Sequence, residues 1–298
     1  MKIFIEVVLP VLLIFLAGYG LQKWKRLDIK AISTFALYVL TPGLVFRTFY
    51  KTEMNVQYLN MVIFSFILLF LLILVNKLYA RIRKVPQSVE SGMILSTVFM
   101  NSGNYGAPII LFAYGTTGFN YSVSLLVLHA IMMNFFGVYY AARGKAGIKI
   151  AIKSVLEMPP TWAVFAALIF QWLQVDLPAN TLSAIDLVAD AAIPTVMLVL
   201  GMQLAEISLK HFQWDKIGFG VLVRMFLSPA LAAVIVYFLP LDPLLEKVLI
   251  VSAAMPSAAT TTMYALQFDA EPELVSSITF ITTLVSIGTI TPLLYLLG

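Results

Sequence analysis

The chain has 298 residues, of which 61% are hydrophobic and only 11% charged, with 19 basic against 15 acidic side chains and a net charge of +4. A soluble domain carries about a quarter charged residues, so this composition, with a mean hydropathy of +0.94, excludes one and describes an all-α polytopic membrane protein. There is no cysteine and there are two histidines, so disulfides, thiolate chemistry, a metal centre and a cofactor are not expected.

A helix crosses the hydrocarbon core with about 20 apolar residues. By that measure ten spans are expected, at roughly 3–22, 31–49, 57–77, 90–114, 119–141, 155–175, 181–205, 216–239, 244–267 and 273–297. The first reads as a transmembrane helix rather than a cleaved leader, since no small-residue cleavage site is clear. The second carries Thr41-Pro42-Gly43. The fourth is interrupted by Asn101-Ser102-Gly103-Asn104-Tyr105-Gly106-Ala107-Pro108. No charged side chain occurs from Ser91 to Ala142, a stretch that includes His129 and Asn134 in the fifth span. The seventh opens with Asp186 and Asp190 and carries Pro194, 152 residues after Pro42. The eighth holds Arg224, and the ninth is interrupted by Ala253-Ala254-Met255-Pro256-Ser257-Ala258-Ala259-Thr260.

The loops orient the spans. Lys23, Lys25, Arg26 and Lys30 follow the first, and Lys77, Arg81, Arg83 and Lys84 follow the third. Arg143, Lys145, Lys149 and Lys153 follow the fifth, and Lys210 with Lys216 follow the seventh, so 14 of the 19 basic residues share one side. Basic loops stay in the cytoplasm. Both termini are therefore expected outside a cell membrane, and the positive charge reads as an orientation signal rather than a nucleic-acid surface. Five spans per half require the second half to run inverted. The expected units are residues 1–150 and 151–298, related by an inverted repeat whose breaks fall at matching places.

The Asn-Gly-rich stretch ending at Pro108, together with Met255-Pro256 and the pair Arg224 and Pro229, resembles the auxin efflux carrier family in its short bacterial form. The resemblance covers the whole chain. It implies a fold like that of sodium–proton antiporters and bile-acid symporters, with broken helices 4 and 9 crossing. It also implies a scaffold of spans 1, 2, 6 and 7 that often forms a homodimer, and a mobile transport domain of spans 3–5 and 8–10. Substrates of the short form are typically small organic anions such as dicarboxylates.

The residues support such a site without the family. Each break starts a half-helix whose first N–H groups lack intrahelical partners and carry partial positive charge, a ready anion site. Proline suits the first turn of such a helix, which fits Pro108 and Pro256. Asn101, Asn104, Ser257, Thr260 and Thr261 offer side-chain hydrogen bonds, Tyr105 an apolar wall, and Gly106 and Met255 complete the two breaks. Ordinary kinks are the competing explanation for each break alone, and the matched pair argues against it.

Arg224 sits about 13 Å into its span, where a charge costs at least about 2.5 kcal/mol and needs a partner. Two readings stay open. It pairs with a substrate carboxylate, or it offsets the negative C-terminal ends of the broken helices or an acid among Asp186, Asp190 and Glu206. Asp186 and Asp190 share a helix face and, with His129, are candidates for proton or sodium coupling; solvation and packing roles are the plainer readings.

An intramembrane aspartyl protease needs two facing aspartates, one in a Gly-x-Gly-Asp setting, and that tetrapeptide is absent. Neither Gly-x-Ser-x-Gly nor His-Glu-x-x-His occurs, so no enzyme is expected. A channel needs a continuous polar lining, whereas these polar residues cluster at one level. The expectation is an elevator-type carrier of a small organic anion; the alternative is a sodium- or proton-coupled symporter of the bile-acid type.

Overall fold

The computed structural model describes residues 2–52, 55–142, 152–153, 155–206 and 213–298. Arg143, Lys145, Lys149 and Lys210, counted above among the loop cations, lie outside the described residues, as does the expected boundary between the two halves at 150 and 151. Among the described residues every regular element is helical, and β pairing is confined to one isolated antiparallel bridge.

Among the described residues seven helices are long and apolar enough to cross a membrane. These are α1 (Phe4–Lys25), α2 (Ile29–Lys51), α3 (Val56–Arg83), α5 (Ser102–Ala141), α7 (Ala179–Glu206), α8 (Trp214–Phe238) and α11 (Pro272–Leu297). Shorter helices are α4 (Gln87–Val98), α6 (Pro159–Trp172), α9 (Pro243–Ala253) and α10 (Thr260–Phe268). The 40-residue α5 is two helical stretches, because Gly115 sits at φ 66, ψ −163, a region open only to glycine.

Capping chemistry sets the ends. Asn55 and Asp242 accept from the first free N–H groups of α3 and α9. Arg26 and Lys84 close α1 and α3 in the left-handed conformation, with basic side chains in each last turn where the helix dipole favours them. Proline inside a span removes a bond that lipid cannot replace, and the backbone widens to absorb it. Four π-helical turns, Phe4–Val8, Ala36–Leu40, Ser102–Gly106 and Val223–Leu227, each lead into a proline two residues on, at Pro10, Pro42, Pro108 and Pro229.

Helix α1 lies on α7, α7 on α2, and α2 on α6, while α3, α4, α8, α9, α10 and α11 pack among themselves and with α5, which also packs against α1, α2 and α7. The α1–α7 crossing is backbone to backbone. A Cβ on Gly18 would stand 2.2 Å from the Leu198 carbonyl oxygen, and one on Gly201 2.0 Å from that of Phe15. Large apolar side chains such as Leu16, Phe70, Ile82 and Leu187 are exposed on the outside, as a lipid-facing surface requires.

Candidate functional site

The two interrupted stretches meet. After Val98 the chain leaves α4 through an extended Phe99, and the Asn101 N–H donates to the Pro256 carbonyl at 2.8 Å while the Ala258 N–H donates to that of Phe99 at 3.0 Å. Met100 and Ser257 face each other as an antiparallel bridge. Unpaired backbone inside a bilayer is tolerated only where protein or a cavity satisfies it, and here each break satisfies the other.

Pro256 corrects the sequence expectation. It lies in the extended connection, not in the first turn of α10, which begins at Thr260. Its carbonyl is needed by Asn101, and proline biases the preceding Met255 toward extended backbone. Pro108 likewise follows a π turn: the half-helix begins at Ser102, capped by the Asn101 carboxamide oxygen, which accepts from the Asn104 N–H at 3.2 Å.

Arg224 is fully buried behind the crossing. Its Nη1 donates to the carbonyls of Thr97 at 2.8 Å and Val98 at 3.3 Å. Its Nη2 donates to Ser228 Oγ and to the Ala253 carbonyl. Those carbonyls are the C-terminal ends of α4 and α9, which have no further intrahelical donors and carry partial negative charge. One planar guanidinium thus ties together both helices that lead into the breaks. Asp186 and Asp190 pair instead with Arg47 and Lys51 of α2, the closest contacts being 2.5 Å from Arg47 to Asp190 and 3.0 Å from Lys51 to Asp186. Glu206 accepts from Gln22 at 2.9 Å.

A cavity of about 740 Å³ opens between the α2–α7 pair and the crossing. Of the residues singled out from sequence, Asn101, Asn104, Thr260 and His129 line it. The Asn104 carboxamide makes no hydrogen bond within the protein among the described residues. Tyr105, Gly106, Pro108, Met255, Pro256, Ser257, Thr261 and Arg224 lie behind the wall as the body of the crossing. Tyr105 is fully buried, shares a 2.9 Å hydrogen bond with Ser286 and packs on Phe15 at 5.1 Å between ring centres. Ser257 is held by Thr279 and Thr282 of α11, and a Cβ on Gly106 would come within 3.0 Å of the Met255 side chain.

Sequence reasoning missed Tyr264 and gave Asn134 no role. Both line the cavity, and the Tyr264 hydroxyl meets Asn134 Oδ1 at 2.8 Å, bridging α5 and α10. The signal for Tyr264 was its place four residues after Thr260, one helical turn on the same face; for Asn134 it was a lone amide in an apolar span. Lys30, Ser33, Gln203 and Glu206 also line the cavity; nothing in the local sequence marks Ser33 and Gln203, and Lys30 and Glu206 were read as an orienting cation and a candidate partner of Arg224.

Among the described residues, seven long apolar helices, with two interrupted stretches bonded to each other at a largely apolar cavity that carries a few polar side chains, are the marks of a multi-span membrane transporter. The chain belongs to the family described as membrane transport protein, which it matches over residues 3–295 and which is the auxin efflux carrier family. It is 27% identical over 296 residues to an uncharacterized transporter of Methanocaldococcus jannaschii, covering 95% of each chain. An uncharacterized transporter of Methanothermobacter thermautotrophicus is 28% identical over 291 residues, 95% of this chain and 94% of the relative. A protein of Rhizobium meliloti named "putative malonate transporter" is 25% identical over 291 residues, 89% of this chain and 86% of its own. The family and these relatives are transporters, not enzymes.

Proposed function

We propose that this protein is a carrier of small organic anions in the cell membrane, with its substrate held where the two broken segments cross. The observation that carries the reading is the mutual bonding of Asn101 with Pro256 and of Ala258 with Phe99 at the wall of the cavity. Such a crossing puts half-helix N-termini and the unpartnered Asn104 carboxamide beside a space of about 740 Å³, so a carboxylate is bound without a full positive charge in the membrane. The relative named for malonate supports the same substrate class.

In this reading the chain crosses ten times as an inverted five-helix repeat. The fourth crossing is α4 with the start of α5, and the ninth is α9 with α10. Helices α1, α2, α6 and α7 form the scaffold and the dimer surface. The remaining helices carry the site as an elevator. Arg224 belongs to the moving part and fastens α4 to α9. The cavity reaches Lys30 and Glu206, which share a side with the basic ends of α1 and α3, so this conformation faces the cytoplasm and both termini lie outside.

The test is uptake into proteoliposomes of radiolabelled malonate, malate, succinate and indole-3-acetate under potential, proton and sodium gradients. Saturable uptake of at least one acid is expected. Uptake of none under any gradient sinks the organic-anion reading, and strict sodium dependence would favour the bile-acid type of symport.

A further inference from the structure

Positive charge is spent differently at the two ends of the molecule. On the side proposed to lie outside, the basic residues are Lys2, Arg47, Lys51 and Lys247. Lys2 pairs with Glu6 at 3.9 Å, and Arg47 and Lys51 pair with Asp186 and Asp190. Lys247 donates to the Gly298 carbonyl at 2.8 Å. Each of the four is engaged, and none lines the cavity.

The cytoplasmic mouth differs. Lys30 is exposed in the first turn of α2 and lines the cavity, and its ammonium makes no ion pair among the described residues. Asp28, two residues earlier, is occupied as the cap that accepts from the Ala31 N–H at 3.2 Å. Glu206, the acid on the wall, accepts from Gln22 at 2.9 Å. Lys23 donates to the Ala205 carbonyl at 2.8 Å, which fixes an ammonium one residue away from that acid. Lys30 keeps its own charge free. One turn on, Ser33 lines the same wall with its hydroxyl buried and unpartnered, a donor available to a carboxylate. Deeper in, Arg224 lies behind the wall with its terminal nitrogens on backbone carbonyls and Ser228.

An anion entering from the cytoplasm thus meets one unpaired cation on its way to the crossing, and from outside it meets paired ones. Low-dielectric walls focus the field of such a charge into the cleft. We propose, resting on the carrier reading above, that Lys30 captures the anion at the cytoplasmic mouth, with Ser33 beside it, so that the carrier loads at lower concentrations from the cytoplasm than from outside. Lys30 stands on α2, in the proposed scaffold, so the anion leaves it on moving with the crossing. It is a positioning residue for entry. A carrier cannot shift an equilibrium, so at zero potential the ratio of maximal rate to half-saturation stays equal on the two faces. Tighter loading at one face is matched by a lower maximal rate from that face.

Inside-out and right-side-out membrane vesicles expose the two faces separately. The probe is the best-transported acid among malonate, malate, succinate and indole-3-acetate. Its half-saturation is expected to be lower in inside-out vesicles. That difference should shrink between about 0.1 M and about 1 M salt, as the screening length falls from about 10 Å to about 3 Å. Lys30→Gln is expected to raise the cytoplasmic value about threefold to tenfold, the range for one partly screened charge, without lowering the maximal rate from that face. The outer value should stay unchanged. Lys30→Arg keeps the charge and should stay near wild type. So should Lys25→Gln, whose ammonium stacks over Trp24 at 4.1 Å and is off the wall. Lys30→Gln without effect, an equal rise on both faces, or a rise confined to the outer face overturns the proposal. Lys30→Arg or Lys25→Gln behaving like Lys30→Gln does so too. If Lys30→Gln fails to fold, the wild-type difference between faces and its salt dependence decide. Transport of no acid by wild type overturns the carrier reading as well, which separates the two failures.

Discussion

Arg224 and Asn104 stand for two kinds of polar residue in a membrane. Arg224 has its terminal nitrogens bonded to the ends of α4 and α9 and to Ser228, and the Asn104 side chain has no hydrogen-bond partner among the described residues. Their substitutions should therefore fail differently. Arg224→Ala strips several buried carbonyls of their donor, and Arg224→Lys cannot reach both helix ends with one compact ammonium. Both are expected to lower stability by about 2–4 kcal/mol, at about 1–3 kcal/mol for each buried group left unpaired. Thermal unfolding in detergent checks this; an unchanged midpoint for Arg224→Lys would contradict the fastening role. Asn104→Ala breaks nothing internal and should stay within about 0.5 kcal/mol of wild type. The partners of Arg224 were not legible in the sequence because they are backbone carbonyls, which any residue supplies. Nor was the burial of Tyr105, which depends on Phe15 and Ser286 lying far off in the chain.

At the scale of elements, proline placement was legible and its accommodation was not. The sequence marks Pro42 and Pro108 as breaks, yet the π turns that precede them keep their helices continuous, and the chain extends instead at Phe99, ahead of the turn at Ser102–Gly106. At Pro42 the repair includes Thr41, whose hydroxyl donates to the Ala36 carbonyl at 2.9 Å. Thr41→Val, of nearly the same shape, should cost about 1 kcal/mol, a single net hydrogen bond, and equilibrium unfolding in mixed detergent would measure it. The α1–α7 contact is stricter. A methyl at Gly18 or Gly201 meets a carbonyl oxygen at 2.2 or 2.0 Å, and backbone does not move aside as a flexible side chain does. Gly201→Ala should destabilise by about 1–3 kcal/mol, the range for overpacking. A neutral result in the same assay would mean the two helices stand further apart than described. Tyr264 shows the remaining limit: period alone places it on the face of Thr260, but which face of α10 looks into the cavity depends on how α4 and α11 hold that short helix.

For the whole molecule, the absence of cysteine allows the proposed orientation to be read directly. Ser33→Cys lies on the cavity wall and should react with a membrane-impermeant maleimide from the cytoplasmic side, with substrate altering the rate if the proposed elevator moves. Labelling only from outside would reverse the topology. Low charge made the membrane class legible, and the two matched breaks made the meeting of the broken segments legible, since lipid leaves so few ways to satisfy a broken helix. Cavity shape was not legible, because it lies between groups of helices that no local pattern brings together. The central claim is that the crossing of the broken segments binds the transported anion. Its most direct measurement is uptake of the best acid by wild-type and Asn104→Ala proteoliposomes at matched protein content and matched thermal stability. The account predicts saturable wild-type uptake and a loss of roughly tenfold or more in the variant, as for removal of a donor that a buried charge relies on. Wild-type rates in a folded Asn104→Ala protein would contradict it.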